Sequence, residues 1–322
     1  MTINGSEFDM MVGTNYSDVD NGEMICRVVI KPDTAEDNLI LAINMGDLAT
    51  TAGLAVKEKT EAEPGFVWNY NEGVTVPVAV SFALKEKGAY RDVWVTRQLV
   101  RSEKREDYPE LSDAQYANFR AVETTGVGAG KLYRSSSPVN PEINRNREAD
   151  AAAREAGVKT FVNLADNEEV MRSYEGFEES CYAGQQIICL NLDVDFSAEY
   201  FRAGLAEGLR FIAANEAPFL VHCNEGKDRA GFASAILECL MGASDEEVVA
   251  DYMVTYFNYY SVKPGTEQYE AVADSNIRKS LAKAFGIETI EGADLQKEAV
   301  EYLTELGLSA EEIAAVQARL GE

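Results

Sequence analysis

The sequence predicts an α/β protein with a parallel sheet and helices on both of its faces, preceded by a small β-rich N-terminal domain. Residues 1 to about 100 are dense in Val, Ile, Tyr, Trp and Thr and are interrupted by turn residues, which is typical of strands. From about residue 112, short apolar runs alternate with segments of helical periodicity, which is typical of parallel strands joined by helices. The charged, aperiodic residues 101–109 lie between these parts. We therefore predict domains at residues 1–110 and 111–322.

Strands are predicted in the N-terminal part wherever β-branched and aromatic residues cluster. These segments are residues 24–30, 38–43, 74–82 and 90–100. Turn residues such as Asp20-Asn21-Gly22 and Lys87-Gly88 separate them.

The C-terminal part contains three predicted strands and several predicted helices. The strands are residues 158–164, 186–192 and 219–222, and the helices are residues 198–215, 230–241 and 245–260. Ser244 with Glu247, and Ser309 with Glu312, form capping boxes at which helices begin. From about residue 277 the chain is predicted to be helical.

The charge balance excludes several functions. The 322 residues include 29 Lys and Arg against 55 Asp and Glu, a formal net charge of −26. Such a chain lacks the basic surplus that binding to nucleic acid or to an anionic membrane surface needs. No segment approaches the roughly 18 apolar residues of a transmembrane helix, and the first residues do not resemble a signal peptide. We expect a cytoplasmic protein without stable membrane insertion, and the sequence indicates no oligomeric state.

Histidine and cysteine usage argues against a metal centre. His222 is the one histidine of the sequence, so no metal could have two histidine ligands from this chain. The five cysteines contain no C-x-x-C pair and their number is odd, which fits neither a zinc ribbon nor a disulfide framework. We predict reduced thiols, no metal and no organic cofactor.

Residues 219–231, FLVHCNEGKDRAG, are the segment that indicates chemistry. A buried strand leads into a tight loop and then into a helix. The successive N–H groups of such a loop, together with the N-terminus of the helix, form an anion-binding concavity. Arg229 offers a planar fork for two phosphate oxygens. In such a positive field a cysteine pKa, ordinarily near 8.5, falls to roughly 3.5–7.5, which would make Cys223 a thiolate nucleophile.

The pattern His222-Cys223-x5-Arg229 resembles the signature of the Cys-based protein-tyrosine and dual-specificity phosphatases. The longer string HCNEGKDRAG is similar to a bacterial branch of that family, typified by mycobacterial tyrosine phosphatase B. Segments outside the loop, among them GKLYRSS at residues 130–136 and VVADY at residues 248–252, resemble the same branch in the same order. The resemblance extends over about residues 115–322.

The resemblance implies a hydrolase of phosphomonoesters that works through a phosphocysteine intermediate without a cofactor. Cys223 would be the nucleophile and Arg229 the phosphate clamp. The remaining phosphate-binding positions implied by the family are Asn224, Glu225, Gly226, Lys227 and Ala230. The partner would be a phosphorylated protein, carrying phosphotyrosine or phosphoserine and phosphothreonine, or a phosphoinositide, for which Lys227 at the loop rim is a feature shared with lipid phosphatases.

The general acid that protonates the leaving oxygen has several candidates. Asp228 stands in the loop, where lipid-phosphatase-like relatives are thought to place their acid. Asp193 and Asp195 precede the helix before the loop, where ordinary dual-specificity enzymes carry theirs, although acidic residues there are also expected at a helix N-terminus. Asp166 is a further candidate. The sequence leaves these alternatives open.

Ala230 departs from the family pattern, which usually has Ser or Thr after the arginine. That hydroxyl normally assists breakdown of the phosphocysteine, so its loss bears on turnover rather than on phosphate binding. The alternative hypothesis is therefore a catalytically weak phosphatase fold that binds phosphorylated ligands. A sulfurtransferase loop is disfavoured by His222 before Cys223 and Gly231 after Arg229.

Overall fold

The computed structural model describes residues 1–30, 38–61 and 65–321. The chain divides into two compact units, Met1–Gln98 and Leu99–Glu322. Residues 99–110, which we assigned to the N-terminal domain, are grouped with the second unit, where the Tyr108 hydroxyl donates to the carbonyl oxygen of Tyr259 at 3.0 Å. The division into two functional domains stays a prediction.

Short strands form most of the regular structure described in the first unit. The strands are β1 Thr2–Ile3, β2 Ser6–Glu7, β3 Met11–Gly13, β4 Met24–Val29, β5 Asn38–Ile43, β6 Ala55–Lys59, β7 Phe66–Tyr70 and β8 Val80–Ser81, and the helices are α1 Leu48–Thr51 and α2 Arg91–Arg97. They pair in the orders β2-β1-β8, β3-β4-β5 and β6-β7. The strands predicted at residues 24–30 and 38–43 are confirmed as the antiparallel pair β4 and β5.

Two strand predictions in this unit were wrong. Of residues 74–82 only Val80–Ser81 is a strand, since Pro77 has no N–H to donate to a ladder. Residues 90–100 contain helix α2 instead, which buries Val95 and packs Trp94 against the small core of Met11, Val19 and Ile25. Burial of one helix face outweighed the β-propensity of its residues.

The second unit is built on a five-stranded sheet in the order β12-β11-β13-β10-β9. Its strands are β9 Arg120–Ala121, β10 Leu132–Ser135, β11 Thr160–Asn163, β12 Gln186–Cys189 and β13 Phe219–His222. The four strands from β12 to β10 are parallel, and the short edge strand β9 runs antiparallel to β10. β13 therefore lies in the middle of the sheet.

Helices account for most of the remaining second unit. They are α3 Asp113–Tyr116, α4 Asn146–Glu155, α5 Glu168–Ser173, α6 Glu199–Ala214, α7 Arg229–Met241, α8 Asp245–Tyr260, α9 Glu267–Ala273, α10 Lys279–Phe285, α11 Leu295–Glu305 and α12 Ala310–Leu320. Both predicted capping boxes are present, at Ser244 before α8 and at Ser309 before α12. In the part of the chain that the structure describes, no helix is long and apolar enough to cross a membrane.

Alternate residues of the central strands enter two cores on opposite faces of the sheet. Val162 of β11 and Val221 of β13 join the larger core, to which α6, α7, α8, α11 and α12 contribute. Phe161 and Leu220, their neighbours in sequence, join the smaller core with α4 and α5. Because successive side chains of a strand point to opposite faces, helices cover both sides of the sheet. The predicted fold class is confirmed.

Candidate active site

The loop at residues 223–228 connects β13 to α7 and lies at the carboxyl end of the central parallel strand. Ligands of open α/β sheets bind at this edge. Cys223 is the first residue after the strand and is 2% exposed. Gly226 has a φ of +69°, and a Cβ at this position would lie 2.2 Å from the carbonyl oxygen of Ser135. The loop can therefore pack against the end of β10 only with glycine at this position.

The loop offers N–H groups that no protein acceptor occupies. Within the described residues, the backbone N–H groups of Glu225, Gly226 and Lys227 donate no hydrogen bond. α7 follows directly and begins at Arg229, so its N-terminal N–H groups and dipole point toward the same region. This arrangement suits an oxyanion. In residues 1–30, 38–61 and 65–321, no three or more His, Cys, Asp and Glu side chains are grouped so that they could hold a metal ion.

Arg229 is half-buried and turned toward the segment that precedes α6. Its Nη1 donates to the carbonyl oxygen of Leu192 at 2.8 Å. Its Nε donates to no acceptor among the residues that the structure describes. The guanidinium thus keeps donors available beside the loop, as the clamp role requires.

Four charged side chains surround the outer edge of the loop, and we call them the rim cluster: Arg101, Glu225, Lys227 and Asp228. Arg101 forms two bonds to the Glu225 carboxylate, at 2.7 and 2.9 Å, and the Lys227 ammonium lies 3.1 Å from the same carboxylate. Burial alone would raise the pKa of Glu225, but Arg101 and Lys227 outweigh it and hold that pKa at about 2. Lys227 lies 3.8 Å from Asp228 as well.

Asp228 differs from Glu225, the other carboxyl of the rim cluster, in the direction of its pKa shift. Burial raises the pKa of this carboxyl, and the charge of Glu225 adds to the rise, while Lys227 and Arg229 oppose it. Its side chain is still 41% exposed, so it can reach a bound ligand. A carboxyl with a raised pKa keeps its proton to higher pH than an ordinary aspartate does, which suits a general acid.

The other acid candidates are placed differently. Asp193 is exposed and accepts from the backbone N–H of Asp195 at 3.0 Å. Asp195 accepts from the hydroxyl and backbone N–H of Ser197 at 2.7 and 3.1 Å, and these bonds lower its pKa. Asp166 is buried and accepts from the Tyr174 hydroxyl at 2.9 Å and from Asn163 at 3.0 Å. Their bonds order local turns, and none of the three stands in the loop.

Behind the loop lies a second charged group, the back cluster, which the sequence analysis did not identify: Arg120, Arg134, Glu238 and Asp251. Arg134 is fully buried in β10 and binds Asp251 of α8 at 2.7 Å, and Arg120 of β9 binds the same carboxylate at 2.8 Å. Burial alone would raise the pKa of Asp251, but the two guanidinium groups hold it at about 2. Burial raises the pKa of Glu238 well above its usual range, which favours the protonated, neutral form of this side chain.

Two further residues complete the local structure. His222 is buried, with its Nε2 2.6 Å from the Tyr182 hydroxyl, and burial lowers its pKa to about 4. It is therefore a neutral support at the end of β13. Ala230, in the first turn of α7, is fully buried and brings no hydroxyl to the loop.

The structure thus brings most of the predicted site residues together in the loop and the first turn of α7, namely Cys223, Asn224, Glu225, Gly226, Lys227, Asp228, Arg229 and Ala230. Asp193 and Asp195 lie apart from them, on the segment before α6. The partners that sequence reasoning missed, such as Arg101 and Asp251, are distant in the chain. The one feature of the sequence that could have indicated the back cluster was Arg134, a charged residue inside a short strand.

Comparison with known proteins gives one family match. The model described as "Tyrosine phosphatase family" matches residues 114–322. Among solved structures, the core catalytic domain of the PP-IP phosphatase Siw14 from S. cerevisiae, in complex with citrate, is 20% identical with a TM-score of 0.32, over 53% of this chain and 95% of that one. A second structure of the Siw14 catalytic core is 18% identical with a TM-score of 0.31, over 52% and 90%. No curated protein matches the chain.

Proposed function

The chain belongs to the tyrosine phosphatase family, and from that premise we propose that it is a Cys-based phosphatase that hydrolyses phosphomonoesters through a phosphocysteine intermediate on Cys223. One observation supports this most strongly. The buried Cys223 stands at the start of a loop whose central N–H groups are free and which leads into Arg229. We assign catalysis to residues 111–322 and an accessory role to residues 1–110. The similarity of HCNEGKDRAG to the bacterial tyrosine phosphatase B branch supports the same assignment.

The proposed reaction has two steps. The Cys223 sulfur attacks phosphorus, so that an S–P bond forms while the bond to the leaving oxygen breaks, and Asp228 gives its proton to that oxygen. Arg229 and the loop N–H groups hold the remaining phosphate oxygens throughout. A water molecule then attacks phosphorus, Asp228 takes the proton from that water, and the S–P bond breaks to release phosphate and the thiolate.

We assign the general acid to Asp228 rather than to Asp193 or Asp195. Its raised pKa keeps the proton available at higher pH, whereas the hydrogen bonds from Ser197 stabilise the ionised form of Asp195. Asp228 is also next to Arg229 in the chain, so a phosphate held by the loop lies within its reach. Asp193 stays the alternative acid, because its segment contacts Arg229 through Leu192.

Phosphotyrosine is the substrate we propose first, with phosphoserine, phosphothreonine and phosphoinositides as the classes to test beside it. Lys227 favours additional phosphate groups at the rim because it places a positive charge there; its side chain is 18% exposed, and its ammonium lies 5.9 Å from the Tyr260 ring. The overall charge of −26 opposes the approach of polyanions at long range. These opposed effects are why phosphotyrosine stands first.

Turnover of p-nitrophenyl phosphate by wild type and by Cys223→Ser tests the proposal. We expect turnover that vanadate inhibits and that Cys223→Ser abolishes, while the matched control Cys189→Ser retains it. Phosphotyrosine peptides, phosphoserine peptides and phosphoinositide micelles then rank the substrates. Equal turnover by Cys223→Ser and wild type would contradict the assignment.

A second candidate function rests on Ala230. Without a hydroxyl after Arg229, the chain could bind phosphorylated ligands and release them unchanged. That function predicts saturable binding of a phosphotyrosine peptide with no phosphate release by either wild type or Cys223→Ser.

A further inference from the structure

The carbonyl groups in the middle of the phosphate loop accept hydrogen bonds from buried side chains of three other segments of the chain. The carbonyl oxygen of Gly226 accepts from Arg134 Nη2 at 3.0 Å and from Asn118 Nδ2 at 3.3 Å. The carbonyl oxygen of Glu225 accepts from the Tyr259 hydroxyl at 2.7 Å and from the same Asn118 amide at 3.2 Å. Arg134, Asn118 and Tyr259 are each at most 1% exposed.

These bonds decide where the neighbouring N–H groups point. In a planar trans peptide the C=O and the following N–H point in opposite directions. The peptides concerned join Glu225 to Gly226 and Gly226 to Lys227. With their carbonyl groups fixed toward β10 and α8, the N–H groups of Gly226 and Lys227 must face away from those elements, and both are free of protein acceptors.

Arg134 is itself held in place. Its Nη1 donates to Asp251 at 2.7 Å while its Nη2 donates to Gly226, so one planar guanidinium joins α8 to the loop. Arg120 holds Asp251 from the other side, through both carboxylate oxygens and the backbone carbonyl. Separating the charges of such a desolvated pair would leave a buried charge without a partner, which is costly. Arg120, Arg134 and Asp251 are therefore held in one arrangement.

We propose that Arg134, Asn118 and Tyr259 are positioning residues that preorganise the anion-binding loop, and that Asp251 acts through Arg134. The inference rests on the proposed function in so far as the loop is the phosphate site. Its consequence is that oxyanion affinity depends on side chains that never touch the oxyanion. If these carbonyl groups lost their hydrogen bonds, the loop would become mobile in the free protein. Anion binding would then cost the conformational entropy of ordering the loop, and the affinity would fall.

Calorimetric titration with sodium tungstate tests this without turnover, using Arg134→Lys and Tyr259→Phe. We expect affinity to fall at least about tenfold in each variant, the loss that one buried hydrogen bond accounts for. The control for the first is Arg210→Lys, because Arg210 also joins a carboxylate, Glu312 at 2.8 Å, to a carbonyl, Gly307 at 2.7 Å, outside the loop. The control for the second is Tyr302→Phe, which removes a buried hydroxyl from α11. Both controls should bind tungstate as wild type does.

Thermal unfolding of each variant shows whether a loss of tungstate affinity comes from a misplaced loop or from a destabilised fold. Tyr259→Phe keeps the ring and decides the matter if Arg134→Lys is too unstable to purify. Asp251→Asn combined with Arg134→Lys should weaken tungstate binding no more than Arg134→Lys alone, since both act on one contact. Wild-type affinity in Tyr259→Phe, or additive losses in the double variant, would overturn the inference. Wild type that binds tungstate without any turnover contradicts the proposed function and leaves this inference standing.

Discussion

The rim cluster and the back cluster lie on the two sides of one loop, and each pairs positive with negative side chains, but their environments differ. The rim side chains Arg101, Glu225 and Lys227 are 18–26% exposed, and Asp228 is 41% exposed. In the back cluster Arg134 is fully buried, and Arg120 and Asp251 are 13% and 9% exposed. Water therefore screens the rim charges more than the back charges.

The difference suggests a division of roles. Rim charges can exchange partners more readily when a phosphate arrives, because water screens their ion pairs more than it screens those of the back cluster. Back charges cannot do so, since breaking a buried pair costs roughly 3–5 kcal/mol. The rim therefore suits proton transfer and substrate choice, while the back suits positioning. Substitutions in the two clusters should differ accordingly.

Asp228→Asn should have the largest effect on catalysis. Removing a general acid lowers kcat by about 10²–10⁴-fold, most for a leaving group that needs its proton, such as the phenol of phosphotyrosine. Tungstate affinity should stay near the wild-type value. Steady-state kinetics with a phosphotyrosine peptide measures the loss.

The comparison variants for that experiment are Asp193→Asn and Asp195→Asn, which we expect to change kcat by less than about threefold. A large loss of kcat in Asp193→Asn together with a small loss in Asp228→Asn would identify Asp193, outside the rim cluster, as the general acid. That result would contradict the division of roles.

Glu238→Gln tests the back cluster through stability. A carboxyl whose pKa is raised in the folded state keeps its proton there, whereas the unfolded chain releases it near the ordinary value of 4.5. That contribution to stability is complete below the ordinary value and is lost as pH rises toward the folded pKa. Glu238→Gln, which cannot ionise, should gain about 1.4 kcal/mol per pH unit relative to wild type over that range.

Urea unfolding between about pH 5 and about pH 8 measures this gain. Glu312→Gln is the control, because the pKa of Glu312 is lowered and its charge stays constant over this range. Stability curves of Glu238→Gln and wild type that run parallel with pH would show that Glu238 is ionised in the folded protein.

Ala230→Ser should have a smaller effect, and in the direction of gain. The new hydroxyl would stand in the first turn of α7, where it can donate to the departing sulfur and speed breakdown of the phosphocysteine. We expect kcat for p-nitrophenyl phosphate to rise by up to about tenfold. An unchanged kcat, with folding intact, would mean that breakdown does not limit turnover.

The smallest expected effects are shifts in the alkaline limb of the kcat profile, the pH range in which kcat falls because the general acid loses its proton. Two rim variants should shift this limb in opposite directions. Lys227 lowers the pKa of Asp228, so Lys227→Met should raise that pKa and move the limb to higher pH. Glu225 raises the pKa of Asp228, so Glu225→Gln should move the limb to lower pH. The pH profile of kcat measures both, with Lys297→Met on α11 as the control, and shifts of the same sign would contradict Asp228 as the acid.

Much of the second unit could be predicted from sequence because many of its elements have strong local signals, although the short strands β9 and β10 were not predicted. β13 was placed correctly at residues 219–222, and α8 at residues 245–260 with its capping box at Ser244. Fully buried strands leave uninterrupted apolar runs, and the serine cap marks the helix start.

The first unit was harder to predict because its apolar residues do not all face a core. Val56 of β6 and Trp68 of β7 are 49% and 40% exposed, and this antiparallel pair of strands was missed. In α2 the signals of a helix were present, with Asp92 in the first turn and Arg97 in the last, but Val and Trp between them suggested a strand. Tertiary packing decided the outcome.

The site shows the same contrast between local and distant information. Cys223, Gly226 and Arg229 lie within one short segment of the chain, so their grouping was visible in the sequence. Arg134 and Asp251 are 117 residues apart, and nothing in either segment indicates that they meet behind the loop. The grouping of the loop residues could therefore be predicted from sequence, whereas the side chains behind the loop could be identified only from the structure.

Trapping the intermediate tests the central claim most directly. Wild type mixed with p-nitrophenyl phosphate and quenched in acid within the first turnover should carry one phosphoryl group, located by peptide mass spectrometry on Cys223. Ala230 favours its accumulation, because the hydroxyl that assists its breakdown is missing. A phosphoryl group on another residue, or turnover with no phosphorylated protein and undiminished activity in Cys223→Ser, would contradict the account.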